Sequence, residues 1–305
     1  MAVAASRLNV VTGVFSYTGR AIAEELLARG ERVRSLSRRD APGDPLRARV
    51  DVAPLRFEPA ALEDALRGAR TLYNTYWIRF EHAGHTFGEA VARTVMLFRA
   101  AERAGVERIV HVSVSQPERG AQAGLPYFHG KLRLEEWLAG SGLPHAIVRP
   151  TLVFGPEDIL VNNIAWLLRR FPVFLVPGDG RYEVQPVSVR DTARICVDAQ
   201  GTVDAAGPER VSFESLVRLV REAVGSRARI VHGPVAVGLA LTRIVGACLR
   251  DDVLTRDELD GLMRSLLVGD SVTARDRFSE WVVENGHVLG RRYVSELARN
   301  FRGQE

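Results

Sequence analysis

"LNVVTGVFSYTGRAIAEELLARG" (residues 8–30) places a short apolar run, two glycines and a helical pattern in immediate succession. The run ends at Gly13. After Gly19 the apolar residues Ile22, Ala23, Leu26 and Leu27 recur with the period of an amphipathic helix. A buried strand, a glycine turn and a helix in that order form a dinucleotide-binding turn. In a G-x-x-G-x-x-G frame the three positions are Gly13, Ser16 and Gly19. Gly13 permits the tight turn, and Gly19 lets the helix approach the strand with its N-terminal amides facing a pyrophosphate. Ser16 replaces the middle glycine, so its Cβ either crowds the phosphate or its hydroxyl donates to it. Gly13, Ser16, Tyr17, Thr18 and Gly19 are the candidate phosphate contacts.

The same alternation continues outward. Strand patterns fall at 31–39, 53–58, 71–77, 107–117 and 144–150, and helical patterns at 60–69, 86–105 and around 125–138. Strands alternating with helices of this length predict βαβ units and a Rossmann-type, doubly wound parallel sheet. After Pro150 the pattern loosens into a loop and helix over 156–170, a strand pair near 173–187 and a helix over 190–199. The last hundred residues read as mostly helical. The sequence therefore predicts a nucleotide-binding domain over 1–155, with 186–200 returning to it, and a smaller, mostly helical C-terminal lobe over 156–305 that holds the substrate.

The end of the second strand bears on the cofactor. A carboxylate there would hydrogen-bond a ribose 2′-hydroxyl. Here stand Ser37, Arg38 and Arg39, and two guanidiniums suit a 2′-phosphate. The sequence thus favours NADP(H) over NAD(H).

The chain holds one lysine against forty arginines, and that lysine, Lys131, lies four residues after Tyr127. On a helix, i and i+4 share a face. A phenol exchanges protons near neutral pH only where a neighbouring charge favours its phenolate, which a compact ammonium does. A permanently charged, forked guanidinium is no substitute. Tyr127 is read as the acid/base and Lys131 as its partner, with the lysine amine also within reach of ribose hydroxyls. Ser113 and Ser115, at the end of the preceding strand, are hydroxyls suited to polarising a carbonyl. Both are equally suited to satisfying backbone groups at a strand end.

Bulk properties exclude several classes. The net charge is +4 and the pI near 9.4, but basic residues never run beyond two, so nucleic acid is a poor partner. Two cysteines, Cys196 and Cys248, give no disulfide framework and no zinc spacing, and His82 and His85 lack a third ligand, so no metal is expected. "MAVAASRLNVV" (1–11) is not expected to be a signal peptide, and "VAVGLALTRIVGACL" (235–249) is too short for a membrane span and carries Arg243. A cytoplasmic protein, a small-molecule substrate and a homodimer are the expectations.

Together these motifs resemble the short-chain dehydrogenase/reductase superfamily. Within it, the chain is similar to the extended and atypical branches: epimerase/dehydratase-like proteins, NmrA-like proteins and the Rossmann-fold accessory subunit of respiratory complex I. The resemblance is carried by "TGVFSYTG" (12–19), "YFHGK" (127–131), "IVRPTLVFGPED" (147–158) and "VQPVSVRDTAR" (184–194). "DELDGLMRSLLV" (257–268) and "LGRRYVSEL" (289–297) are similar to the complex I-like tail. It implies Ser115 as the third catalytic residue beside Tyr127 and Lys131. It also implies cofactor contacts at Asn74, Ser113, Pro150 and Val153, and substrate contacts at Tyr76, His129, Asn162, Asn163 and Trp166. The chain departs from the family at Ser16, at "RFEP" (56–59) in place of Gly-Asp, and at "NTYW" (74–77), whose rings narrow the cofactor site. The serine-to-tyrosine gap, from Ser115 to Tyr127, is only twelve residues. The expected activity is NADPH-dependent reduction of a carbonyl or imine. The alternatives are epimerase/dehydratase chemistry on bound NAD(P), and a non-catalytic NADPH-binding sensor or assembly subunit.

Overall fold

A computed structural model of the chain describes residues 7–251, 254–295 and 297. Residues 1–6 of the N-terminal stretch and Glu296 of the C-terminal motif lie outside them. In chain order, the first elements are β1 (Leu8–Thr12), α1 (Tyr17–Ala28), β2 (Arg32–Ser37), a short 3-10 turn (Pro45–Arg49), β3 (Asp51–Pro54), α2 (Pro59–Leu66), β4 (Thr71–Asn74) and α3 (Phe87–Arg103). Next come β5 (Arg108–Val112), α4 (Pro117–Gln122), α5 (Pro126–Gly140), β6 (His145–Pro150), β7 (Leu152–Phe154), α6 (Ile159–Arg170), β8 (Val173–Pro177), β9 (Glu183–Val184) and β10 (Pro186–Ser188). The chain continues through α7 (Val189–Asp198), β11 (Gly201–Ala205), β12 (Val211–Ser212), α8 (Phe213–Ala223), β13 (Arg229–Gly233), α9 (Val235–Leu249), α10 (Arg256–Met263) and α11 (Phe278–Asn285).

Two compact units result. The first comprises the chain up to Pro150 together with Val189–Ala205; the second comprises Thr151–Ser188 and the chain from Ala206 onward. In the first unit seven strands form a parallel sheet in the order β11-β6-β5-β4-β1-β2-β3. The order reverses between β1 and β4. A crevice outside the carboxyl ends of the strands is expected there, where ligands of doubly wound sheets bind. One face of the sheet packs Val10, Leu36, Leu72, Ile109 and Ile147 against α2, α3 and α5. On the other, α1 lies against α7. The fold is the predicted Rossmann type.

Several strand ends differ from the sequence pattern, each for a local reason. β3 covers Asp51–Pro54 rather than 53–58, because its ladder to β2 runs from Arg34–Asp51 to Ser37–Pro54. β4 stops at Asn74 rather than 77, because Thr75 N and Tyr76 N donate to Thr12 Oγ1 (2.7 and 3.0 Å) and turn the chain out of the ladder. β5 stops at Val112, and the short helix α4 follows from Pro117. The expected strand pair near 173–187 is a correction. Its strands exist but pair elsewhere: β8 with β13, β9 with β12, and β10 with β7. The second unit is therefore three two-stranded ribbons among helices, with a core that includes Phe154, Val161, Leu216 and Phe278.

Candidate functional site

The turn after β1 is built as the glycine frame requires. Gly13 has φ +66°, a conformation that a side chain would strain. A Cβ on Gly19 would lie 2.3 Å from the Gly13 carbonyl oxygen, so only glycine lets α1 sit this close to β1. Ser16 is the N-cap residue, yet its hydroxyl does not cap the helix. It donates back to the Gly13 carbonyl (2.6 Å), closing the turn and leaving the first-turn amides around Tyr17, Thr18 and Gly19 uncapped. Those amides, at the positive end of a twelve-residue helix, fit a pyrophosphate. Arg38 and Arg39 are exposed just beyond β2, with Arg39 N bonded to Ser37 Oγ (3.1 Å).

Beside this turn, the ends of β1 and β4 are locked together. Thr75 Oγ1 donates to Thr12 O (2.6 Å), and the buried Asn74 accepts from Tyr76 N (3.2 Å). The Asn74 amide donates to His111 Nδ1 (3.0 Å), which places the imidazole proton on Nε2. Burial, and then the Lys131 charge, hold the His111 pKa well below its usual 6.5, so the ring is neutral. Asn74 is thus used within the sheet, and Tyr76 packs on Phe57 with ring centroids 4.8 Å apart.

Tyr127 and Lys131 share a face of α5, as their spacing requires. The Lys131 side chain is 3% exposed, and its ammonium donates to the Val112 carbonyl at the end of β5 (2.8 Å). It also lies over the Trp77 ring, 4.7 Å from the centroid. Tyr127 meets the same indole edge-on at 5.9 Å, and Phe87 edge-on at 5.9 Å. Space for the indole exists because residue 130 is glycine: a Cβ there would lie 2.7 Å from the Trp77 ring. Burial pushes the Lys131 pKa from 10.5 down to about 7, opposed by the charge of Glu135. That carboxylate is held in turn by Arg149 (3.1 Å to Nε).

Ser113 and Ser115 are both buried, with their amides bonded to Val148 O (2.7 Å) and Pro150 O (3.0 Å) across the sheet. The Ser113 hydroxyl has no hydrogen-bond partner among the described residues, nor has His111 Nε2 two residues earlier on the same side of β5. His129 is exposed, two residues from Tyr127 and therefore on the opposite side of α5. Pro150 ends β6 in the first unit, and Val153 pairs with Val187 in the second.

The remaining predicted contacts lie within the second unit and are engaged there. Asn162 donates to Pro156 O and Asp158 O, and accepts from Gly290 N. Asn163 exchanges both its amide bonds with the Val294 backbone (3.0 Å each). Trp166 packs on Phe171 and Tyr293. The described residues contain no cluster of three His, Cys, Asp or Glu able to hold a metal. The sequence reading missed Trp77 as the neighbour of both Tyr127 and Lys131. Its one local signal was the glycine immediately before the lysine.

Comparisons with known proteins agree with this architecture. A family model described as NAD(P)H-binding matches residues 14–158. The chain is 23% identical over 299 residues to a mitochondrial NADH dehydrogenase [ubiquinone] 1 alpha subcomplex subunit 9 of Arabidopsis thaliana, covering 86% of this chain and 71% of that one. It is 34% identical over 173 residues to sterol demethylase protein B of Methylococcus capsulatus, covering 49% of this chain and 52% of that one. Among solved structures, the NADPH complex of the Escherichia coli quinone oxidoreductase QOR2 superposes with a TM-score of 0.72 at 21% identity, covering 90% of this chain and 99% of that one.

Proposed function

We propose that this chain, whose likeness to the extended and atypical short-chain dehydrogenase/reductases the comparisons bear out, is an NADPH-dependent reductase of a carbonyl or imine in a small organic molecule. The observation that carries the reading is the Tyr127–Lys131 face of α5, with the one lysine of the chain buried against the end of β5. The dinucleotide fits the residues present: α1 offers an uncapped N-terminus behind Gly13 and Gly19, and Arg38 and Arg39 suit a 2′-phosphate. When bound, the nicotinamide supplies the hydride. Tyr127 gives the proton to the substrate oxygen or nitrogen. Lys131 lowers the cost of the phenolate that remains, by charge at short range. Ser115 polarises the substrate carbonyl, with Ser113 as the second hydroxyl of that strand end. The quinone oxidoreductase likeness makes quinones the first carbonyl class to screen.

Two measurements test this. Calorimetry with NADPH and NADH is expected to give at least about tenfold tighter binding of NADPH, through the guanidinium contacts. Tyr127→Phe is expected to lower turnover by about a hundredfold or more while leaving NADPH affinity within about twofold. A Tyr127→Phe variant with wild-type rates would sink the mechanism.

A second reading has its own observation. The Lys131 ammonium is covered by the Trp77 ring and bonded to Val112 O. A protein that binds NADPH without turnover, as a sensor or assembly subunit, would tolerate that arrangement permanently. It predicts nucleotide binding with no oxidation of NADPH by any acceptor and a stable protein partner; turnover by the purified monomer disposes of it.

A further inference from the structure

Helix α9 breaks the pattern of an ordinary surface helix, which shows polar residues to water. It packs on the β8–β13 ribbon, where a Cβ on Gly238 would meet Pro177 at 3.2 Å and Leu175 at 3.4 Å. Leu239 is buried on the same side. At 100° per residue, the exposed positions Ala236, Val237, Ala240, Leu241, Arg243 and Ala247 fall on one arc opposite that contact. Five of the six are apolar, and Val237 and Leu241 are 45% and 46% exposed. Val173, two residues before Leu175 on β8, points to the same side of the ribbon as α9 and is also exposed.

The charges around the helix are equally one-sided. From Ala223 to Arg250 the chain has no Asp or Glu, although it has 37 elsewhere. Arg227, Arg229, Arg243 and Arg250 in that stretch are all exposed, and none has an ion-pair partner among the described residues. Arginines outside it are commonly paired, as Arg29 is with Asp198, Arg93 with Glu89 and Arg149 with Glu118. The stretch's histidine, His232, is taken by Glu214 (3.2 Å).

We infer that α9 and its flanking arginines dock on the surface of an anionic lipid bilayer, with the helix in the plane of the interface and its apolar arc among the headgroups. Charge complementarity selects the occupant: four exposed guanidiniums on the helix and the chain flanking it, none ion-paired among the described residues, need anions. The arc favours lipid over protein. Its six exposed positions among the described side chains carry no Trp or Tyr anchor and no hydrogen-bonding group except Arg243 at the rim, whereas protein interfaces concentrate their energy in such anchors. Its smooth, alanine-rich surface suits non-directional burial beside acyl chains. Docking is peripheral, since no helix among the described residues is long and apolar enough to cross a membrane. The residues involved lie outside the candidate nucleotide site, so this inference stands or falls separately from the reductase reading.

The test is flotation of the full-length protein with vesicles of phosphatidylcholine alone, and of phosphatidylcholine mixed with phosphatidylglycerol. The expected result is co-flotation with the mixed vesicles at low salt, release as salt is raised, and none with phosphatidylcholine alone. Leu241→Asp is expected to weaken binding about tenfold or more, and Arg243→Glu at least about fivefold. Both substitutions fall at exposed positions, so unchanged melting temperatures separate docking from folding. Absence of flotation with mixed vesicles, or a Leu241→Asp variant that floats like wild type, overturns the inference. So does a dimer in light scattering that Leu241→Asp dissociates while vesicles are ignored, which would make the face a contact between two copies.

Discussion

At the scale of single residues, the decisive one is Lys131, whose ammonium is buried with one hydrogen-bond acceptor, Val112 O, and one aromatic face, Trp77. Desolvation disfavours the charged form and brings its pKa to about 7, opposed by the Glu135 charge. Because the chain has no other lysine, the ε-amine of a lysine-labelled sample gives one NMR resonance, free of overlap. That resonance is expected to titrate near 7 in the protein without nucleotide. Trp77→Leu, by removing the cation–π contact, is expected to lower the value by about one further unit. An unchanged titration would reduce the indole to packing alone. The sign of the stability effect follows. Between about 7 and 10.5 the unfolded chain binds the proton that the folded chain has released, so wild-type stability rises with pH through that window. Against Lys131→Met, wild type should therefore gain up to about 1.4 kcal/mol per pH unit from 7 towards 10.5, read from denaturant midpoints. A difference that is flat in pH would show that the buried amine keeps its ordinary pKa.

Among elements, the strand–turn–helix of β1 and α1 was legible in the sequence because its requirement is steric and local. Gly19 faces the backbone at the end of β1, 2.3 Å from Gly13 O and 2.8 Å from Thr12 O for a notional Cβ. Neither atom can yield as a side chain would. Gly19→Ala is therefore expected to push α1 off β1, cost about 2 kcal/mol or more in a denaturant melt and abolish NADPH binding. Ser16→Gly, which restores the glycine frame, should lose only the 2.6 Å bond to Gly13 O, about 1 kcal/mol, and keep nucleotide affinity. Loss of binding in Ser16→Gly alone would mean that the serine hydroxyl itself holds the phosphate. The ends of β4 and β5 were not legible, because long-range partners set them. The pattern in "TLYNTYW" stays apolar past Asn74, but Thr12, over sixty residues earlier, captures the next two amides. The helix of Tyr127 and Lys131 was readable from spacing. That the lysine points into protein beneath Trp77 was not, since no periodicity relates position 77 to position 131.

On the scale of the whole molecule, the alternation of strands and helices was enough to predict the parallel sheet, while its last strand escaped notice. β11 is a five-residue segment with little apolar content, "GTVDA", and it is a strand because β6 offers it an open edge from Ala146 to Pro150. The preceding helix α7 buries Ala193 and Cys196 and lies against α1, with Arg29 of the loop after α1 paired to Asp198. The first compact unit is thus discontinuous in sequence, and its first 150 residues leave unsatisfied both the edge of β6 and the outer face of α1. A fragment ending at Pro150 is expected to aggregate when expressed alone. Its return segment begins near where it leaves: Leu152 and Pro186 are register partners of β7 and β10. A flexible Gly/Ser linker of roughly six to eight residues, spanning about 15 Å, can therefore join Pro150 to Val189–Ala205 in place of the second unit. The joined protein is expected to be a soluble monomer with cooperative unfolding and to bind NADPH by calorimetry, because the phosphate turn, both arginines and the Tyr127–Lys131 helix all lie within it. Solubility of the fragment ending at Pro150 would mean that β11 and α7 only decorate a sheet complete without them. A joined protein that folds but ignores NADPH would instead place an essential part of the nucleotide site in the second unit.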